Sequence, residues 1–545
     1  MGSPTTPEVF IPLSEIGRRG ATIEGAPESL QEVVDRSFVI PAEKLPDIMG
    51  REHLCRPYPG TDYDFLAINV PSTFQQGVIP DGEEAPHGLL RIVSTMRGYK
   101  EQDPSYPELN AGILDAHRLN LTPRQIIGQV RKTGTKVVGL NPTSVNVFEA
   151  QEIARTLDEE GIPYIIGGVH ATLDPSIARS DFPEAVAIVR GTGELAAGLA
   201  VEAILESKET SIPGVFWSSS DHTTMERTDD IDVGRMPLVR QDILVEEPVY
   251  EHTVTIGGVR KKIHESNLFV TYGCPFDCTF CASPVMVGRN ERNSRPAYRR
   301  PDMELILDNI EHVVSGLGAD AIHFLDDMAF INEDHILELH QGLTERELMG
   351  KFVWRGLTRA PVINRFSDNA MSQMAETGAW KIALGVESGS DEVLRQIKKK
   401  VTSDQVRESV DRLTSHGIQS KGFFVFGFPG ETVEQMDETR ALIVDLKARG
   451  MTEISAFQYK PYPGTESFEQ LARLKPELVP RLSYLRSFLR HQMQADEGTK
   501  ANDKAADTPW LPDDIMIADA PSAIVREQVV RALTDFYGDV PSDLV

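Results

Sequence analysis

The sequence predicts an α/β protein built as two sheet domains in tandem: a doubly wound, Rossmann-like parallel sheet, then a partial (βα)6 barrel of the TIM type, then a mostly helical C-terminal segment. Three observations carry this expectation. Apolar strand-like runs alternate with helix-length amphipathic runs from residue 64 onward, and a second series of the same kind starts near residue 263. Between them lies a polar, turn-rich stretch. The third observation is local: of the four cysteines, three fall within "CPFDCTFC", directly after the first strand-like run of the second series. At 545 residues the chain exceeds what one core can serve.

Taken in order, residues 1–60 are rich in Pro and Gly and show little periodicity beyond a short helix near "SLQEVVDRSF", which reads as a cap or lead-in. Residues 61–215 form the first domain, with strands at "DFLAINV", "KVVGLN", "PYIIGG" and "AVAIVRG" and helices such as "RQIIGQVRKTG" and "FEAQEIARTLDEEG". Strand and helix alternating at these lengths imply a parallel sheet covered on both faces. Residues 216–262 read as a linker with a hairpin around "VTIGGVRKK". In 263–465, the runs "LFVTYG", "AIHFLDD", "FVWRGLT", "KIALGVES", "GFFVFGFPG" and "EISAFQYKPYPG" supply six strands, whose C-terminal ends would hold the chemistry. Residues 466–545 start helical and become acidic and Pro-punctuated.

A formal net charge of −27 and a pI near 4.9 oppose binding to a phosphate backbone or to anionic lipid. No apolar run reaches the roughly 20 residues that span a bilayer, and the opening "MGSPTTPEVFIPLSEIG" lacks the pattern of a secretory signal. A cytoplasmic protein is expected, with no nucleic-acid or membrane partner. In a reducing compartment the cysteines stay thiols.

Cys274, Cys278 and Cys281 are spaced by four and three, on the loop where a barrel places its active site. A structural zinc site wants four ligands in two short pairs, and here the fourth would have to be Cys55 or a stray histidine. Buried structural thiols would be scattered rather than clustered. An iron–sulfur cluster takes thiolates from one tight loop, and three ligands leave one iron open. This third reading accounts best for the spacing.

"CPFDCTFC" resembles the CxxxCxφC motif of radical S-adenosylmethionine (SAM) enzymes, with Phe280 at the aromatic position. The resemblance implies a [4Fe–4S] cluster on Cys274, Cys278 and Cys281, whose open iron chelates SAM. Asp326 and Asp327 in "FLDDMAF", Arg355 and Arg359 in "WRGLTR", Glu387 and Ser388 in "LGVESGSDEVL", and Phe426 in "FVFGFPGET" stand at successive strand ends. By the same resemblance, Phe280, Asp326, Asp327, Arg359, Glu387, Ser388 and Phe426 are candidate SAM contacts.

In the first domain the loops "LNPTSVN" (140–146), "IGGVHATLDP" (166–175) and "RGTGE" (190–194) should line one edge of the sheet. There is no G-x-G-x-x-G after the first strand, which argues against a dinucleotide. With the cysteine triplet downstream, these segments resemble the cobalamin-binding domain of cobalamin-dependent radical SAM enzymes. Thr143, Ser144, Gly167, Gly168, His170, Ala171, Gly191, Gly193 and Glu194 are then the candidate cobalamin contacts. "DAHRLN" carries Asp115 and His117 but has Asn120 where a cobalt-ligating motif has Gly, and His117 reads as a surface or capping residue.

The resemblance implies a methyltransferase that moves a methyl group from SAM, through methylcobalamin, to an unactivated carbon of a small molecule of the natural-product or antibiotic-biosynthesis kind. It would draw on an external one-electron donor of flavodoxin or ferredoxin type. A cyclase or ring-rearranging enzyme, a phosphorus methyltransferase and a non-catalytic cobalamin or iron–sulfur sensor are the alternatives. Cys55 reads as a spare buried thiol.

Overall fold

In the computed structural model, residues 62–71, 86–119, 121–143, 146–219, 232–239, 250–256, 259–289, 295–476 and 517–538 are described. The lead-in 1–60, Cys55, Ser144, Asn120 and most of the C-terminal segment lie outside them.

The first domain alternates as expected. Its elements are β1 (Phe65–Ile68), α1 (His87–Gly98), β2 (Ala111–Leu114), α2 (Pro123–Lys132), β3 (Val137–Leu140), α3 (Val147–Glu159), β4 (Tyr164–Ile166), α4 (Gly168–Leu173), α5 (Pro175–Asp181), β5 (Ala187–Val189), α6 (Gly193–Leu205) and β6 (Val215–Trp217). The strand order is β2-β1-β3-β4-β5-β6, parallel except for β6, which pairs antiparallel with β5 and carries the sheet past residue 215. Strands such as "FLAI" and "VVGL" are buried along their whole length, because helices cover both faces. Two apolar cores result, one on each side of the sheet. α2 begins as its sequence dictates: Thr122 and Gln125 form a capping box, with Pro123 in the first turn. β1 is flanked by β2 and β3, so the order reverses beside it. That switch point opens a crevice at the C-terminal strand ends.

The second sheet begins with a hairpin of β7 (Tyr250–Ile256) and β8 (Val259–Leu268). The strand that leads into the cysteines therefore starts inside the stretch read as linker. The full length of the hairpin's second strand is not plain in the sequence, because "VRKKIHES" has no apolar run. After it come β9 (Tyr272–Gly273), α7 (Ser283–Val287), β10 (Tyr298–Arg299), α8 (Met303–Glu311), β11 (Ala321–Phe324), α9 (Glu333–Glu345), β12 (Val353–Thr358), α10 (Ala360–Ile363) and α11 (Asp368–Glu376). The series ends with β13 (Ala379–Glu387), α12 (Asp391–Gln396), α13 (Ser403–Ser415), β14 (Gln419–Phe426), α14 (Val433–Ala448), β15 (Glu453–Gln458), α15 (Glu466–Leu474) and α16 (Ser522–Tyr537).

The order is β15-β14-β13-β12-β11-β8-β7, and all neighbours except β7 and β8 are parallel. Among the described residues β15 and β7 do not pair, so the sheet forms an open barrel. Its strands alternate: in β14 Ser420, Gly422, Phe424 and Phe426 are buried against helices, while Gln419, Lys421, Phe423 and Val425 are half-buried on the concave face. Charged groups occupy that concave face near its floor. Arg355 clasps Glu265 through two hydrogen bonds of 2.8 and 2.7 Å, and Glu453 accepts from both Lys381 (2.6 Å) and Lys421 (2.7 Å). α16 packs on α14 and on the edge strand β15. The Tyr537 hydroxyl donates to the carbonyl of Ile454 and accepts from its N–H, both at 2.8 Å, and Arg440 pairs with Asp535 at 2.8 Å.

Candidate functional site

The cysteine loop is shaped by groups on either side of it. Asp326, just past β11, is 2% exposed and turns inward. Its carboxylate accepts from the N–H of Val270 at 3.1 Å and from the N–H and hydroxyl of Thr271, both at 2.5 Å. Burial pushes this carboxyl up to about 7, against the pull of those donors. Expected at a ligand, Asp326 instead holds the start of the loop, since neighbouring residues after a strand face opposite ways. Asp327 is the exposed partner and accepts from the Ser283 hydroxyl of α7.

Gly273 precedes Cys274 at φ 78°, and a Cβ there would lie 2.4 Å from the carbonyl oxygen of Ala297. Gly273→Ala is therefore expected to cost at least about 1–3 kcal/mol in urea unfolding and to impair cluster loading.

Further on, Thr279 donates its N–H to Ile397 O (3.1 Å), and its carbonyl accepts from Ser467 N–H (2.9 Å). The loop is thus pinned by the segments that follow β13 and β15.

All three cysteines are partly buried thiols. Burial raises Cys274 to about 11 and Cys281 to about 12, and the Asp327 charge adds to both. Donors nevertheless point at the sulfurs: Ser283 N–H lies 3.4 Å from Cys281 Sγ, and Arg359 Nη1 lies 3.6 Å from Cys278 Sγ. Among the described residues no three His, Cys, Asp or Glu side chains are placed to hold a single metal ion.

Phe280 stacks edge-on against Phe428 at 5.2 Å and packs with Val393, Leu394, Ile397 and Tyr459. Glu387 sits at a bulge in β13 with φ 69°, an uncommon conformation for a side-chain-bearing residue. It is paired with Lys399 at 2.6 Å. Ser388 is fully buried and bonds to Thr439 of α14 at 3.1 Å, so its hydroxyl is engaged in packing. Phe426 likewise points its ring into the core between sheet and helices, because alternation along β14 turns it away from the concave face. Glu431, which motif reading passed over, accepts from the N–H groups of Gly427 (2.6 Å) and Phe428 (3.0 Å), and burial lifts its carboxyl to about 7.

The three loops of the first domain meet at the sheet edge. His170 N–H donates to Pro142 O (3.3 Å), Gly167 N–H to Leu140 O (3.0 Å) and Gly191 N–H to the Thr172 hydroxyl (3.1 Å). Gly168, at φ 80°, lies against Asn141, and Asn146 accepts from the N–H and hydroxyl of Thr143. Side chains in these loops often face inward: His170 is fully buried with Asp181 at 2.9 Å, and Ala171 is core. Gly193 opens α6, and Glu194 binds Arg91 at 2.5 Å.

This edge faces the barrel mouth. α7, next to the cysteines, packs against α4. The Arg91 guanidinium lies 3.4 Å from the centre of the Tyr272 ring, and His87 meets Phe269 edge-on at 4.9 Å. His87 is buried and among the described residues neither ring nitrogen has a partner; burial and Arg91 together hold it down to about 3. A histidine held below its unfolded value loses stabilising effect as pH falls below about 6.5. The wild-type protein should therefore lose about 1.4 kcal/mol per pH unit relative to His87→Leu between about pH 6 and 4, in paired urea titrations. No sequence pattern flags His87 or Arg91, which gain meaning only from the packing of the two domains.

Residues 268–443 match the radical SAM superfamily. The chain carries a radical SAM domain. Over 392 residues the protein is 25% identical to an uncharacterized methyltransferase of Pyrococcus horikoshii, covering 70% of this chain and 78% of that one. It is 23% identical to the cytidylyl-2-hydroxyethylphosphonate methyltransferase of Streptomyces wedmorensis (65% and 70% covered) and to the anaerobic magnesium-protoporphyrin IX monomethyl ester cyclase of Rubrivivax gelatinosus (66% and 62%). In fold, it is similar to the radical SAM methyltransferase TsrM of Kitasatospora setae, solved with cobalamin and a [4Fe–4S] cluster, at a TM-score of 0.57 and 17% identity (75% and 74% covered). OxsB, a cobalamin-dependent SAM radical enzyme, aligns at 0.58 and 16% identity (76% and 61% covered). Those two structures share with this chain a mixed α/β fold built on parallel sheets. No helix among the described residues is long and apolar enough to cross a membrane.

Proposed function

We propose that the protein is a cobalamin-dependent radical SAM methyltransferase acting on a small molecule, with an unactivated carbon as the acceptor. The observation that carries this reading is the apposition of two elements: α7, which directly follows the cysteine loop, packs on α4, the helix of "GVHATL", so two cofactor sites would face one another. When bound, a cluster and SAM together supply a carbon-centred radical, and cobalamin supplies a transferable methyl group.

The chain's own residues do the rest. Cys274, Cys278 and Cys281 would hold the cluster. Phe280 and Phe428 form an apolar wall that shields the mouth from water, and Glu387, fixed by Lys399, presents a carboxylate where an ammonium group of SAM can be met. Gly167, Gly168, Gly191 and Gly193 allow close backbone approach of a bulky corrin, and Thr143 lies in the loop beside them. Holding the two cofactors and the substrate at one seam lowers the entropic cost of their encounter. An external one-electron donor and a cytoplasmic setting accompany this proposal.

The test is an anaerobically reconstituted preparation given methylcobalamin, reductant and trideuteriomethyl-SAM in an extract of the source cell. A product that gains the labelled methyl in place of hydrogen supports methylation. Deoxyadenosine with an unlabelled, dehydrogenated or ring-closed product favours a cyclase instead, the activity named for the Rubrivivax relative.

A further inference from the structure

Arg359 stands at the end of β12 and is 4% exposed. A guanidinium stays charged in any protein setting, and a buried charge without a counter-ion is costly. Among the described residues no carboxylate pairs with Arg359, and its Nε and Nη2 atoms are buried without a hydrogen-bond partner. Its neighbours are the Phe276 ring, 3.8 Å from the guanidinium carbon, and Cys278 Sγ, 3.6 Å from Nη1. Its charge also reaches Cys274. Both cysteines belong to the cluster loop, and Phe276 lies between them. The guanidinium thus lies over the loop's own aromatic, with one nitrogen on the Cys278 sulfur and two more nitrogens idle beside it.

We infer that Arg359 is the counter-charge of the iron–sulfur cluster, donating into its thiolate and sulfide sulfurs, rather than a contact of SAM. The inference rests on the cluster reading above and changes the role that the strand-end position alone suggests for this arginine. A cluster with three thiolates is an anion, and it becomes more negative by one charge when it takes an electron. A cation fixed against it stabilises the reduced form more than the oxidised form and so raises the potential. Arg359 is then a positioning and tuning residue that eases delivery of an electron from the external donor.

The experiment compares the anaerobically reconstituted wild-type protein with Arg359→Lys and Arg359→Met in dithionite titrations followed by electron paramagnetic resonance, with no SAM present. The midpoint potential of Arg359→Met is expected to move to more negative values, with Arg359→Lys in between because it keeps the charge but loses the fork. SAM affinity, measured by equilibrium dialysis, should stay within about threefold of wild type. Unfolding of the cluster-free proteins should show Arg359→Met at least as stable as wild type, since it removes a buried cation with idle donors. An unmoved potential with SAM affinity down by about tenfold or more would make Arg359 a SAM ligand and overturn the inference. A large loss of cluster-free stability would overturn it too, marking a packing role. If Arg359→Met takes up no cluster, Arg359→Lys carries the potential measurement. Failure of wild type to take up a cluster at all would instead refute the functional proposal itself.

Discussion

Cys278→Ala, reconstituted without oxygen, is expected to lose the visible absorbance of an iron–sulfur cluster and all reductive cleavage of SAM. The loss should exceed the roughly 100-fold typical of changes beyond the ligand shell. Because the thiol is only partly buried and among the described residues is met only by Arg359, stability of the cluster-free chain should change by no more than about 0.5–1 kcal/mol. The same outcome is expected for Cys274→Ala and Cys281→Ala. Iron content, absorbance and deoxyadenosine release measured on one preparation check it. A variant that keeps its cluster and its SAM cleavage would mean that the loop serves something other than this chemistry.

Asp326→Ala should have the largest effect on the fold of the site. Removing the carboxylate leaves the N–H groups of Val270 and Thr271 without an acceptor in a fully buried place, while the Thr271 hydroxyl keeps only the carbonyl of Met328 at 3.2 Å. At about 1–3 kcal/mol for each buried group left unsatisfied, the expected destabilisation is about 3–5 kcal/mol. It should appear before any cofactor is added, together with poor cluster loading. A residue whose only task was to touch SAM would leave cluster-free stability unchanged. Denaturant unfolding of the cluster-free protein therefore distinguishes the two roles.

These two variants also mark how far the sequence could be read. The cysteine triplet and the alternation of strand and helix were plain, because both depend on residues adjacent in the chain. The fully apolar strands of the first sheet and the half-polar strands of the barrel differ in the sequence for a physical reason: the first are covered on both faces and the second only on one. Side-chain direction was not legible. "DD" at 326–327 reads as a pair of carboxylates, yet the strand's pleat sends one inward and the other to the surface. Phe426 and Ser388 also stand at strand ends, and position there does not say which side of the sheet a residue faces. Lys399 sits in "KKK", which looks like a solvated run, but tertiary packing buries it against Glu387. His87, Arg91 and Arg359 became interpretable only when contacts between distant segments were known.

The helix that seals β15 comes from far along the chain: Ser522–Tyr537 covers a strand that ended at Gln458. During synthesis α16 therefore reaches β15 only after more than sixty further residues have emerged. Proteins cut short before residue 522 should accumulate as aggregates even though every group at the mouth is present.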